Sequence, residues 1–232
     1  MRRFALLAPL LAASAACQLD KPAAPVDEVA SAEDVAVLTP EAALQRLKEG
    51  NKHFVSRTLT SQDWKAQLEK AADGSFPYAA VLASPDPRIP LPLVFDAGIG
   101  DLISIRTLGP IATPNVIGAM EQSVLRAGVK AIVILGHSDS GAAEAACEGS
   151  DETYLQDVIA GLGPAVDATP REAETRLFDG LSYYDAVTIE HVTRMVADIR
   201  TRSTRLDGFV HNGDLVIVPA YYDIATGAVV WL

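Results

Sequence analysis

An α/β fold with a central, mostly parallel sheet, helices on its faces and an antiparallel hairpin at its C-terminal edge is predicted by three observations. Apolar, partly β-branched runs at 78–83, 131–135 and 215–222 lack the polar alternation of a half-solvated strand, and so suit strands covered on both faces. Longer stretches of helical period lie between them, the alternation expected of a doubly wound sheet. Pro77, Gly128 and Gly136 punctuate the joints.

The elements follow in order. Thr39, Pro40 and Glu41 combine a hydroxyl cap, a proline suited to the first turn and an acid at the positive end of the dipole, starting a helix that runs to Val55. Ala43, Leu44, Leu47 and Phe54 form its apolar stripe, which needs a partner surface in this chain or a second copy. A second helical stretch covers 64–72, and the strand at 78–83 runs into a polar loop at 84–88. Residues 102–106 alternate as a strand, and 115–127 place Val116, Ile117, Met120 and Val124 on one helix face, with Gly128 as the stop. Residues 131–135 are the central strand, which Gly136 is expected to end immediately before His137. Stretches 144–168 and 183–203 read as one helix each. The strand at 215–222 turns back through 223–227 into an antiparallel one at 228–232. Such sheets bind ligands at the carboxyl ends of their strands, where 84–88 and His137 lie.

The N-terminal part has a different character. Arg2 and Arg3 precede thirteen uncharged, mostly apolar residues at 4–16, too few to span a bilayer and suited to a signal segment. The run ends Ser14-Ala15-Ala16-Cys17, which resembles a lipobox, so residues 1–17 are expected to direct export and Cys17 to be lipidated, with plain cleavage near Ala16 as the alternative. Gln18 after the cysteine resembles the pattern of outer-membrane sorting, so the expected location is the periplasm or the outer membrane. Residues 18–38, rich in Ala, Pro and acids, are expected to be a disordered tether of roughly 25 Å, with the folded domain at 39–232. Acylation of Cys17 leaves Cys147 as a lone thiol and no disulfide.

Nineteen Lys and Arg against thirty Asp and Glu give a net charge of -11, which repels nucleic acid and anionic lipid. A membrane is therefore expected to be met through the lipid anchor alone. The overall sign does not exclude a small anion, because one arginine can dominate a local potential.

Residues 78–88 (YAAVLASPDPR), 93–101 (LVFDAGIGD) and 131–141 (AIVILGHSDSG) resemble, in order, segments of the β-carbonic anhydrases, and 51–55, 190–203 and 218–232 extend the match. The resemblance implies a β-carbonic-anhydrase-like fold and a homodimer or larger homo-oligomer. It also implies a zinc centre held by Cys, His and Cys, but here those positions are Ser84, His137 and Ser140. A serine hydroxyl is neutral near pH 7 and a poor zinc donor, so no metal or other cofactor is expected, and carbonate dehydratase activity should be lost with it. Asp86 and Arg88 match the family's catalytic dyad, between Pro85 and Pro87, which remove two backbone donors. Arg88 and Gly141 are the positions expected to meet a bound bicarbonate or other small anion. The alternative is a rebuilt zinc site using His137 with Asp86 or Asp139, and hydratase activity retained.

Each of these residues also has a purely structural reading. His137 suits a hydrogen-bonded core histidine, Asp86 and Arg88 suit an ion pair fixing their loop, and Cys147 suits a buried, inert thiol. A hydrolase with Ser84 or Ser140 as nucleophile and His137 as base lacks the nucleophile-elbow spacing. Glu174, Arg176 and the charges at 198–205 read as solvated helix faces.

Overall fold

The computed structural model describes Val26 and residues 29–171 and 181–232. The signal segment, Cys17, Gln18, Glu174 and Arg176 lie outside the described residues.

One five-stranded sheet organises the chain: β1 (Ala79–Ala83), β2 (Leu102–Arg106), β3 (Ala131–His137), β4 (Val216–Tyr222) and β5 (Val229–Trp231), in the spatial order β2-β1-β3-β4-β5. The first four are mutually parallel and β5 pairs antiparallel with β4, as the sequence pattern implies. Every residue of β1 and β3 is buried, which is why these runs are unbroken by polar residues.

Alternate side chains of β1 and β3 feed two cores. Val81, Ala83, Val133 and Leu135 face a core that takes in Leu47, Leu91 and Phe95. On the other face, Leu82, Ile132 and Ile134 meet Met120, Val192, Ile199 and Leu206. The helices are α1 (Ala32–Ala36), α2 (Pro40–Ser56), α3 (Trp64–Ala71), α4 (Leu91–Val94), α5 (Pro114–Ala127), α6 (Gly141–Glu148), α7 (Gln156–Ala168), α8 (Tyr183–Arg202) and α9 (Thr204–His211). The signals at the start of α2 and the end of α5 act as their chemistry dictates: Thr39 caps the nitrogen of Ala42, and Gly128 closes α5 at φ 78°.

The structure corrects the sequence reading in four places. Residues 29–38, expected as tether, are packed: Ser31 and Asp34 form a capping box for α1, and Val35 is buried in the first core. Farther back, Val26 bridges to Gln62. The β3 strand does not stop at Gly136, because Gly136 and His137 continue the ladder opposite Tyr221 and Tyr222. The stretch at 144–168 is two helices, since α6 ends at Gly149 with φ 81° and a 3-10 turn, Thr153–Leu155, precedes α7. Finally, α4 and α9 add short helices not anticipated; α9 begins at 204, inside the charged stretch read as one helix face, and is capped by Ser203.

Candidate functional site

The parallel register fixes the site. Ala83 pairs with Leu135, so Ser84 leaves β1 at the level where Gly136 and His137 complete β3. Ser84 is buried, as are His137 and Ser140. Ser140 is the N-cap of α6, its hydroxyl accepting from the Ala143 amide at 3.4 Å. The three residues read from sequence as degenerate ligand positions therefore end two neighbouring strands and start one helix.

His137 is held in one tautomer. Its Nδ1 lies 2.8 Å from the Ser138 carbonyl oxygen, which can only accept, so Nδ1 carries the proton. The bare Nε2 is buried without a partner, and neither serine hydrogen-bonds to it. Burial holds the His137 pKa below the ordinary histidine value, so the ring is neutral at pH 7. Without a Ser–His hydrogen bond, the arrangement is not that of a serine hydrolase.

Asp86 and Arg88 form a closed pair. The Arg88 Nε donates to Asp86 Oδ1 at 3.0 Å and its Nη2 to Oδ2 at 2.7 Å, while the Arg88 amide also donates to Oδ1 at 2.8 Å. The guanidinium beside it holds the Asp86 carboxyl down at about 2. Sequence reading gave Arg88 this one partner and missed the second: Arg88 Nη1 donates to Asp139 Oδ2 at 2.6 Å. Asp139 stands in left-handed backbone at φ 55°, 51 residues from Arg88, so no local signal announced the contact. Arg106, the last residue of β2, was also missed; its Nη1 and Nη2 donate to the carbonyls of Ile89 and Asp86 at 2.7 and 2.8 Å. These bonds give the loop at 84–89 partners in a segment where two prolines removed donors.

Gly141 opens α6 on the exposed surface, and a Cβ there would meet nothing within 4 Å, so close packing does not require glycine. Cys147 is half-buried on α6; burial raises its pKa, and Glu148 adds to the rise against an opposing Arg171, which fits an unreactive thiol.

Fold and site together define a doubly wound α/β protein of the β-carbonic anhydrase type, with the ligand loops at the carboxyl ends of β1 and β3. A family model described as carbonic anhydrase matches residues 79–229. Carbonic anhydrase 2 of Mycobacterium tuberculosis is 34% identical over 200 residues, covering 82% of this chain and 92% of that protein. The carbonic anhydrase of Mycolicibacterium smegmatis is 31% identical over 196 residues, with the same coverage. Among solved structures, the β-carbonic anhydrase CcaA superposes with a TM-score of 0.63 at 22% identity, covering 81% of this chain and 94% of that one. A tetrameric β-carbonic anhydrase of Sordaria macrospora also gives 0.63, at 20% identity, covering 83% and 92%. The chain belongs to the β-carbonic anhydrase family.

The family normally binds zinc, and the residues present here do not fit it. One donor is right, since the Nε2 lone pair of His137 is buried and unclaimed. The rest of the donor set is wrong. Ser84 and Ser140 offer neutral alcohols, and the carboxylates of Asp86 and Asp139 are committed to Arg88. Among the described residues, no three His, Cys, Asp or Glu side chains are grouped to hold a metal ion.

Proposed function

We propose that this chain is a β-carbonic anhydrase homologue that has given up its zinc centre and, with it, CO2 hydration. The observation that carries the reading is the donor set: one imidazole beside two serines at the ligand positions, with both nearby carboxylates drawn off by one arginine. Two thiolates supply most of the charge that holds a structural or catalytic zinc, and alcohols with pKa far above 7 do not replace them. With no metal to lower the pKa of a water to about 7, the reaction has no nucleophile at neutral pH.

In this reading the dyad is a latch. Arg88 spends its charge on two carboxylates and ties the loop at 84–89 to Asp139, so a bicarbonate would have to displace one of them. The protein further acts outside the cytoplasm, tethered through Cys17 and assembled as a homodimer or larger homo-oligomer. The N-terminal residue pattern supports the tether, and the tetrameric Sordaria relative supports the assembly.

The second reading, a rebuilt zinc site with retained hydratase activity, is favoured by one feature, the unclaimed Nε2 of His137. It requires Asp86 or Asp139 to leave Arg88. Elemental analysis of protein made in zinc-replete medium, with stopped-flow CO2 hydration, decides between them. The expected result is below about 0.1 zinc per chain and hydration at the buffer rate. Zinc near one per chain, with hydration abolished by His137→Ala, replaces the first reading with the second.

A further inference from the structure

Helix α3 is turned inside out. Its buried residue is the polar Gln67, whereas Trp64 and Leu68, one turn apart and so on one face, are 52% and 62% exposed. Gln67 is satisfied where it lies, since its amide nitrogen donates to the Val26 carbonyl at 3.0 Å and its oxygen accepts from the Ile99 amide at 3.0 Å. These inward polar contacts fix which side of α3 faces outward, and that side carries the indole. Val26, and Leu59 in the loop before the helix, are exposed as well. An amphipathic helix normally buries its large apolar side chains, so an outward apolar face calls for a partner outside the chain.

The second observation is where the N-terminal segment meets this face. The Val26 amide donates to the Ser61 carbonyl at 2.7 Å, and the Asp63 amide donates back to the Val26 carbonyl at 2.9 Å. Val26 is thereby pinned to the residues immediately before Trp64. Cys17 lies nine residues earlier, and nine residues reach at most about 32 Å whatever their conformation. A folded chain of this size is roughly 40 Å across. An anchor at Cys17 is therefore too short a leash for the far side of the domain to turn to a membrane, and the side it holds down is the one with Trp64 and Leu68. Charge does not oppose contact there: α3 carries Lys65 and Lys70 against Glu69, although the whole chain stands at -11.

We propose that the outer face of α3 is a second, non-covalent foot on the membrane, in which Trp64 and Leu68 enter the interfacial layer of a zwitterionic phospholipid surface. The indole takes the headgroup level, where its ring is covered and its N–H still finds an acceptor, and Leu68 adds apolar area beside it. The foot rests on acylation of Cys17, as in the proposed function, and adds to that anchor a fixed orientation of the domain. It is independent of the fate of the metal centre.

The test uses full-length protein expressed with its N-terminal segment and isolated from membranes. The mass of its N-terminal peptide reads the anchor: an unmodified Cys17 overturns the anchored reading and the foot with it. The acylated protein is then placed in vesicles of phosphatidylethanolamine and phosphatidylcholine, with and without bromine on the acyl chains as a short-range quencher of tryptophan. The parent's emission is expected to fall by about a third or more in the brominated vesicles. In Trp64→Phe, which leaves Trp231 as the one tryptophan, it should fall by less than about a tenth. Leu68→Ser, at an exposed position that leaves the melting temperature unchanged, should cut the parent's quenching by about half. Acylated protein whose emission ignores the bromine overturns the foot and leaves the anchor standing, and the face then belongs to another occupant such as a second copy of the chain. Quenching that survives Trp64→Phe, or that is undiminished in Leu68→Ser, also overturns it, because the lipid contact would then lie elsewhere.

Discussion

The cleft at Ser84, His137 and Ser140 and the carboxylate-lined pocket beside Tyr221 share the loop at 138–140 but bury their polar groups differently. In the cleft the orphan is a lone pair, on His137 Nε2, and the charges around it are paired off by Arg88. In the pocket the Tyr221 phenol lies against Asp185 and Ser138, with its pKa pushed up by burial, and the carboxylate of Glu144 has no ion pair among the described residues. The contrast separates two jobs that a residue at a strand end can hold. Ser140 no longer offers a metal donor but still caps α6, and His137 still completes the β3 ladder, so the scaffold outlasts the chemistry.

The largest effect should come from giving the cleft its donors back. Ser84→Cys with Ser140→Cys is expected to raise zinc affinity by at least about four orders of magnitude, read by competition with a chelator and by elemental analysis. If the double variant stays metal-free, the cleft has diverged in shape as well as in ligands, and the contrast with the cavity is one of geometry rather than donors.

Gly136 lies in β3 directly before His137 and packs under α8. A Cβ there would sit 2.6 Å from Thr188 Cγ2 and 3.1 Å from Val192 Cγ1, so Gly136→Ala must push α8 away from β3. A loss of about 1–3 kcal/mol is expected, seen as a melting temperature several degrees lower. An unchanged melting temperature would mean that α8 yields freely.

Arg88→Ala addresses the cleft alone. The Asp86 pKa, held at about 2, should return to about 4, which carbon-detected NMR titration reads directly. The sign follows from the depressed value: the pair contributes stability above about pH 4 and loses it as pH falls towards 2, so parent and variant should converge in stability at the acid end. Divergence there would place the Arg88 contribution in packing.

The smallest expected effect concerns the buried imidazoles. Burial lowers the pKa of both His137 and His191, so the unfolded chain takes up protons first and stability falls as pH drops below about 6.5. Chemical denaturation at pH 7 and pH 5.5 should show a smaller decline in His137→Gln than in the parent. Equal declines would assign the effect to His191 and the carboxylates.

Much of the fold was legible because burial on both faces leaves an unmistakable run of residues, as at 79–83 and 131–135, although β3 in fact runs on to His137. Caps with one geometric solution, such as Thr39 before Pro40 and Gly128 after α5, were equally readable. The single helix expected at 144–168 failed because periodicity carried across Gly149, whose positive φ ends α6. Residues 29–38 looked like tether because composition outweighed the Ser31–Asp34 cap and the one buried Val35. In the site, identities and the local Asp86–Arg88 pair were visible, and the long-range pairing was not. Asp139 was read as a candidate metal donor, whereas the fold gives it to Arg88 from 51 residues away. The pocket beside Tyr221 left no mark in the sequence, since its walls come from three separate stretches, 138–144, 181–185 and 221–230.

Asn51 ties distant parts of the fold together. Its buried amide donates to the carbonyls of Val94 and Gly227, and its oxygen accepts from the Val229 amide, 178 residues downstream. Helix α2 therefore finishes docking only when the β4–β5 turn is in place, and until then the side chain has no complete set of partners. One amide thus joins the first long helix to the last two strands, so α2 and the hairpin should gain or lose their protection against hydrogen exchange together.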